Sequence, residues 1–322
     1  MKKLMLLLVL LFFSYNIVSK IPDRSVHLIV CDVGQGDAIL IQQGYFQALI
    51  DTGPDESVTS CLRSHMPKED KKIDILVLTH YDNDHIGGFA ASKELYQFGE
   101  IYAPLTDKKE SQVFLELEES FLALLKQGTV LKQPILGQQI AYHNFSLEYN
   151  SPELIFSFIT PTFLETDWQI ALQAFQAGTR EPETQFSWWQ DFLTEKSHFP
   201  EQLESVNDRS ISFLIQYGDL KIFLSGDLEE GTELSILESR LIAGLDILKV
   251  AHHGSKSSSS MPFLLETHPE TALISSGEGN SFGHPATEVL ERLSLFAQQI
   301  GRTDHSGELH LVLKSDFYYF LK

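Results

Sequence analysis

The stretch Leu78-Thr79-His80-Tyr81-Asp82-Asn83-Asp84-His85-Ile86-Gly87-Gly88 holds the chain's densest set of side chains able to do chemistry. His80, Asp82, Asp84 and His85 follow directly on the apolar run Ile73 to Leu78. That run reads as a buried strand, so the polar group leaves from its carboxyl end. Four ligand-type side chains on one short loop converge with little help from distant chain. Imidazole nitrogen together with carboxylate oxygen suits borderline or hard divalent ions such as zinc, manganese or iron. Asp and Asn also favour turns, but a turn alone does not require two histidines at this spacing. Gly87-Gly88 allow the backbone to turn sharply and pack close behind the ligands.

The pattern His80-x-Asp82-x-Asp84-His85 resembles the first metal motif of the metallo-β-lactamase superfamily. Asp82 stands where most members carry His, and here the chain is similar to the branch that includes the extracytoplasmic domain of ComEC competence proteins. Asp32-Val33-Gly34-Gln35-Gly36-Asp37-Ala38 and Leu49-Ile50-Asp51-Thr52-Gly53 resemble that domain in the same order. The resemblance implies that His80 and Asp82 serve one ion and Asp84 and His85 a second. Asp227, at the end of Ile222-Phe223-Leu224-Ser225-Gly226, would touch both; a helix cap is the alternative for it. Lys249-Val250-Ala251-His252-His253-Gly254-Ser255 matches the last metal motif. His252 is the favoured ligand there and His253 a contact behind it or to substrate, an order the residues leave open. Asp51 is expected behind a ligating imidazole, fixing its tautomer. The further histidine that most members place shortly before the Asp227 position is missing; Asp208 is the candidate replacement. Oxygen in place of imidazole shifts preference from zinc toward manganese or magnesium, so one or two divalent ions, zinc or manganese, are expected.

The chemistry implied is hydrolysis by metal-activated water. Asp84 is expected to orient that water as well as bind metal. Lys249 reads either as a counter-charge to the carboxylates or a substrate phosphate, or as an ordinary exposed strand lysine. His284, in Gly283-His284-Pro285, reads as a donor to the leaving-group oxygen or as a structural cap. Ser255 and Lys256 open a serine run before a helix, which is either an anion site or a flexible turn.

These residues need strands that end along one edge. Ser25 to Val33, Ala38 to Gln42, Ala48 to Ile50, Ile73 to Leu78 and Ile101 to Ala103 read as strands, with helices over Ser57 to Met66 and Ala90 to Phe98. From Asn207 the pattern returns, with strands over Ser210 to Tyr217, Leu220 to Leu224, Leu245 to Ala251, Thr271 to Ile274, Glu308 to Leu313 and Phe317 to Leu321. Helices are expected over Glu229 to Leu241, Met261 to His268 and Thr287 to Phe296. Between them, Val113 to Lys126 has helical spacing, Phe145 to Ile159 reads as strands, and Asp167 to Phe199 reads as helical, with Trp168, Trp188 and Trp189. Two sheets face to face with helices outside follow from this order. The fold class expected is α/β, a metallo-β-lactamase-like αββα four-layer sandwich over 21–322, with 105–206 a helical insertion.

Lys2-Lys3 before the apolar run Leu4 to Phe13 reads as a signal peptide or N-terminal anchor within 1–20, and so as an exported protein. The chain has two cysteines, Cys31 and Cys61; Cys31 lies in an apolar strand, and the unpaired reading is favoured. A net charge of −20 over 322 residues opposes any stable grip on nucleic acid through basic surface, though not a phosphodiester, DNA included, held as substrate by a metal centre. The expected function is therefore an exported metal-dependent hydrolase of phosphodiesters. The rivals are a catalytically degenerate binding module and a hydrolase of a small ester, amide or lactam. The oligomeric state is not legible.

Overall fold

The computed structural model describes residues 25–104, 112–134, 137–142, 152–160, 207, 210–237 and 242–321. The expected signal segment, the tryptophan-bearing stretch 167–199 and Asp208 lie outside the described residues. Along β1 (Val26–Val30), Val26, Leu28 and Val30 point to one face and Ile29 to the other, the alternation that a strand buried on both sides requires. β1 pairs antiparallel with β2 (Ile39–Gln43), which pairs antiparallel with β3 (Phe46–Ile50). α1 (Ser57–His65) then crosses to β4 (Lys72–Val77), parallel to β3. The single turn α2 (Asn83–Ile86) and α3 (Phe89–Leu95) lead to β5 (Gln97–Tyr102), and α4 (Gln112–Lys126) leads to β6 (Val130–Lys132).

The second half opens with β7 (Gln139–Tyr142) and β8 (Leu154–Thr160), followed by the hairpin of β9 (Ser212–Tyr217) and β10 (Leu220–Leu224). α5 (Glu230–Leu237), β11 (Ile247–Lys249), α6 (Met261–Thr267), β12 (Thr271–Ile274), α7 (Thr287–Ser294) and β13 (Gln299–Arg302) alternate as parallel crossovers. After the turn α8 (Thr303–Ser306), β14 (Leu309–Leu313) and β15 (Tyr318–Phe320) return to the first sheet beside β1. Among the described residues the strand orders are β15-β14-β1-β2-β3-β4-β5-β6 and β13-β12-β11-β10-β9-β8-β7.

The inner faces of both sheets share one apolar core, with Leu28, Ile41, Ile50 and Leu311 against Phe158, Phe213 and Ile222. α1, α3 and α4 cover the outer face of the first sheet through Val58, Leu62, Phe89, Leu117 and Phe121. α5, α6 and α7 cover the second through Ile236, Phe263, Leu264, Val289 and Leu293. This is the mixed α/β, two-sheet sandwich with outer helices that the sequence order implies, except that β6, β7 and β8 belong to the sheets, so the range 105–206 is not a helical insertion throughout. β5 begins earlier than expected and takes the end of the expected helix 90–98. The short strands β6, β7 and β13 carry too weak an alternation to be read beforehand.

The unpaired reading of the cysteines is wrong. Cys31 and Cys61 form a disulfide, with Cα atoms 5.9 Å apart. Cys31 continues the alternation of Ile29, so it faces the helices, and α1 presents Cys61 to it.

Candidate metal centre

The polar residues after β4 are placed by a tight local fold. Leu78 N–H still pairs with Tyr102 O as in the sheet, and the backbone then leaves it. Asp82 sits at the start of α2, whose turn is closed by His85 N–H to Asp82 O, 3.0 Å. Gly87 and Gly88 have ordinary negative φ. A Cβ on either would run into the carbonyls of Pro54 and Thr52 respectively. Their role is close approach, which lets His85 O accept from Thr52 N–H at 2.7 Å and locks α2 onto the loop after β3.

The other half contributes through two strand ends. After β10, Gly226 turns the chain with φ 54° and Asp227 N–H donates to Ser210 Oγ at 3.2 Å. Asp227 does not cap α5; Glu230 N–H goes to Ser257 O instead. After β11, His252 and His253 are consecutive left-handed residues, φ 50° and 53°. Each costs about 1–2 kcal/mol for a residue with a Cβ. The bend is held by His252 N–H to Gly226 O, Ser255 N–H to His252 O, and His253 Nδ1 to Ser275 O at 3.0 Å. It buries His253 and leaves His252 at the mouth with its side chain 23% exposed.

The side chains converge. His85 Nε2 lies 3.4 Å from Asp227 Oδ1, and His80 Nε2 lies 3.8 Å from Asp227 Oδ2. His253 Nε2 is 3.4 Å from Asp84 Oδ2 and 3.8 Å from Asp227 Oδ2. Asp82 Oδ2 and His252 Nε2 stand further out, 3.9 Å from His80 Nε2 and from Asp227 Oδ2 respectively. His80, His85 and Asp227 form one group of possible ligand atoms, and Asp84, His85 and His253 an adjoining one. His80 Nε2, His85 Nε2, His253 Nε2 and Asp227 Oδ1 are all buried and carry no hydrogen bond. Buried polar atoms without a partner are rare and costly. Four aimed at one another fit a cation between them.

Each ring is held from behind. Asp51 Oδ2 takes His85 Nδ1 at 2.8 Å, and its carboxylate also accepts from Thr79 N–H and Thr79 Oγ1, each at 2.7 Å. Thr79 Oγ1 and Ser210 Oγ flank His80 Nδ1 at 3.1 and 3.3 Å. Asp37 Oδ1 lies 3.3 Å from His253 Nδ1, and Lys249 Nζ donates to Asp37 Oδ2 at 2.7 Å.

The electrostatics describe a site that demands positive charge. Burial works against a charged His85, but Asp227 and Asp51 outweigh it and hold its pKa well above the ordinary value. Burial likewise opposes charge on His253, yet Asp227, Asp37 and Asp84 push its pKa to about 9. Burial, followed by the neighbouring His85, drives His80 down to about 4. Burial alone would raise Asp227, but His85 and His253 hold it well below the usual carboxylate range. Without a metal, His85 and His253 keep the protons that balance the carboxylates; a divalent cation would release them.

Three expectations need correction. Lys249 is fully buried in β11 and bonded to Asp37 and Val250 O, so of its readings the counter-charge to a carboxylate holds, and it is neither an exposed lysine nor placed to meet substrate. The two amides at the helix end of the serine run are already occupied: Ser259 and Ser260 N–H donate to Glu233 at 2.6 and 2.8 Å, so the chain's own buried carboxylate fills the anion position there. Ser255 bonds Ser257, and exposed Lys256 pairs with Glu288 at 2.8 Å. The favoured order of the paired histidines is reversed in space, because the left-handed bend sends His253 inward to Asp84 and His85 and His252 outward. His284 stands at the mouth, its ring 5.6 Å from His252 and 5.9 Å from Phe282, with its pKa lowered by burial and then by His252 and His253. Thr79, Ser210 and Ser275 were missed because nothing local marks a serine or threonine as an orienting group. Asp37 had a signal, since it closes the Gly34 to Asp37 turn that carries the family resemblance.

The superfamily described as "Metallo-beta-lactamase superfamily" matches residues 31–278, and the chain belongs to it. Among curated proteins it is 25% identical to ComE operon protein 3 of Bacillus subtilis over 95% of this chain and 35% of that protein. It is 26% identical to Competence protein ComA of Neisseria gonorrhoeae over 94% of this chain and 34% of that protein. The chain thus spans about a third of the length of these relatives. The solved structure of YhfI from Bacillus subtilis, a metallo-beta-lactamase fold protein, shares the fold, with a TM-score of 0.50 at 13% identity over 92% of this chain and all of that one. Among the described residues, no helix is long and apolar enough to cross a membrane.

Proposed function

We propose that the chain is an exported, metal-dependent hydrolase of phosphodiesters, with nucleic acid or a small diester as substrate. The observation that carries this reading is the convergence of His80, His85 and His253 Nε2 with the Asp227 carboxylate, buried and without hydrogen bonds. Those residues, with Asp84 and with Asp82 at the edge, would hold one or two zinc or manganese ions. A divalent ion there acidifies water and polarises a phosphoryl oxygen. The chain's own groups do the rest. Asp84, partly exposed on the inner rim, orients the attacking water and accepts its proton. Burial would raise the Asp84 pKa, but His253, then His85, hold it low, so the carboxylate is ionised and ready. His284 keeps a neutral ring at neutral pH and offers its N–H to a phosphoryl or leaving-group oxygen. Exposed Phe282 beside it gives a nucleobase or other flat group a face to stack on.

Three further observations support the details. The Cys31–Cys61 disulfide fits an oxidising compartment, hence export. The net charge of −20 leaves substrate holding to the metal centre itself. The similarity to a relative named Competence protein ComA makes DNA the first of the candidate substrates to test. The test is turnover of bis-p-nitrophenyl phosphate, single-stranded DNA, duplex DNA and RNA by protein loaded with zinc or with manganese. Diester turnover that disappears in His85→Ala supports the proposal. Stoichiometric metal with no turnover of any diester sinks it and favours a binding module.

A further inference from the structure

A second cluster of histidines lies away from this rim and plays no part in the proposed hydrolysis. Register places His27 of β1 beside β14, where Ile29 pairs with His310. Leu309, Leu311 and Leu313 of β14 point into the inter-sheet core, so Glu308 and His310 share the opposite, helix-covered face. α1 lies on that face, and its last residue, His65, reaches over the strand. His65 Nε2 is 2.6 Å from Glu308 Oε1, and His27 Nδ1 is 2.8 Å from His310 Nε2. The rings of His65 and His310 are 5.0 Å apart, edge to face. Ligand atoms of His65, Glu308 and His310 all lie within 4.8 Å of one another.

We infer that His65, His310 and Glu308, with His27 beside them, form a second divalent-cation site of the zinc type on the outer face of the eight-stranded sheet. Two or three imidazole nitrogens and one carboxylate oxygen are the donor set that borderline ions such as Zn²⁺ and Cu²⁺ prefer over Ca²⁺ or Mg²⁺. The donors come from the start of one strand, the end of a helix and the start of another strand. Three imidazoles this close disfavour protonation of all of them, and the His27 Nδ1–His310 Nε2 contact at 2.8 Å requires that at least one of those two nitrogens be unprotonated. The neighbouring disulfide fixes α1 one turn before His65, which limits how far the donors drift apart. The sulfurs also approach Glu308, but they are bonded to each other and do not act as thiolate ligands. A metal here would clamp α1 to β1 and β14. It adds stability that rises with the logarithm of metal concentration above its Kd and takes no part in turnover.

The test uses the full chain, stripped with chelator and kept oxidised. Zinc is titrated by calorimetry into a His85→Ala, Asp227→Ala double variant, in which the rim centre is removed. About one equivalent of zinc should remain, and adding His65→Gln and His310→Gln should weaken it at least ~10-fold. Should the double variant not fold, zinc content of the otherwise unchanged protein is compared with and without His65→Gln and His310→Gln, and a drop of one equivalent with diester turnover retained is expected. Cobalt substitution adds a signature, visible d–d bands of a nitrogen–oxygen site that vanish in the His65 and His310 variants. Zinc stoichiometry and affinity indifferent to those two substitutions would overturn the inference, whatever the fate of the hydrolase reading.

Discussion

The molecule carries two histidine clusters, and they are built differently. At the rim, each imidazole has an oxygen behind it: Asp51 for His85, Thr79 and Ser210 for His80, Ser275 O for His253. The nitrogens facing inward are left without partners. On the outer face, the histidines bond one another and Glu308 directly, and their side chains are partly exposed. The first arrangement is preorganised, with ring orientation fixed before any ligand arrives, which is what chemistry needs. The second must break its own contacts to serve a ligand, which suits a clamp better than a catalyst.

Substitutions at the rim should have the largest effects. Asp227→Ala removes the carboxylate that four imidazoles face; diester turnover should fall by about 10³-fold or more, some 4 kcal/mol of transition-state stabilisation. Steady-state kinetics with metal content measured in parallel checks it. If turnover survives while the outer-face variants abolish it, the assignment of roles is inverted. Next is Lys249→Met. The rim rests on the buried Lys249–Asp37 pair, and removing one partner strands a buried charge, costing about 3–5 kcal/mol of stability in chemical denaturation. The outer cluster leans on no such pair.

The disulfide sharpens the comparison from the other side. Cys31→Ser with Cys61→Ser opens a cross-link spanning 30 residues, and loop-closure entropy puts the cost at about 3–4 kcal/mol. Zinc binding at the outer cluster should weaken with it. The rim is held by its own hydrogen bonds and should keep its turnover at temperatures where the variant stays folded. Equal losses at both sites would mean that α1 couples them.

The legible parts of the sequence were the local ones. His80 to His85 declare themselves because all four side chains leave from one strand end, and Asp227 through the family resemblance at the end of a clear strand, which by itself leaves a helix cap equally open. The order of His252 and His253 was not legible, since it depends on two consecutive left-handed residues that no propensity favours. Lys249 in an apolar strand reads as a counter-charge or as an exposed lysine with nothing to choose between them, because its partner Asp37 is 212 positions away. Glu233 goes unmarked within the expected helix Glu229 to Leu241; only the fold brings the amides of Ser259 and Ser260 to it. The cysteines needed register: once Cys31 is seen to share a face with Ile29, the helix over that face is the place to look for its partner. The outer cluster was missed because His27, His65 and His310 lie far apart in sequence with no motif around any of them.

The smallest effects give the finest test, because each cluster has one carboxylate holding one imidazole. Asp51 takes His85 Nδ1 at 2.8 Å with both groups fully buried; Glu308 takes His65 Nε2 at 2.6 Å with side chains 31% and 17% exposed. The shorter contact should matter less. Asp51→Asn leaves the shape but removes the charge that fixes the His85 tautomer, and metal affinity at the rim should drop about 10–100-fold. Glu308→Gln, measured in chelator so that no metal contributes, should cost no more than about 1 kcal/mol, the range of a solvent-screened pair. It should leave rim affinity unchanged. Burial, rather than distance, then separates an orienting carboxylate from an incidental one. A Glu308→Gln penalty as large as that of Asp51→Asn would show that the outer cluster is preorganised too, and would call for a chemical role there beyond a clamp.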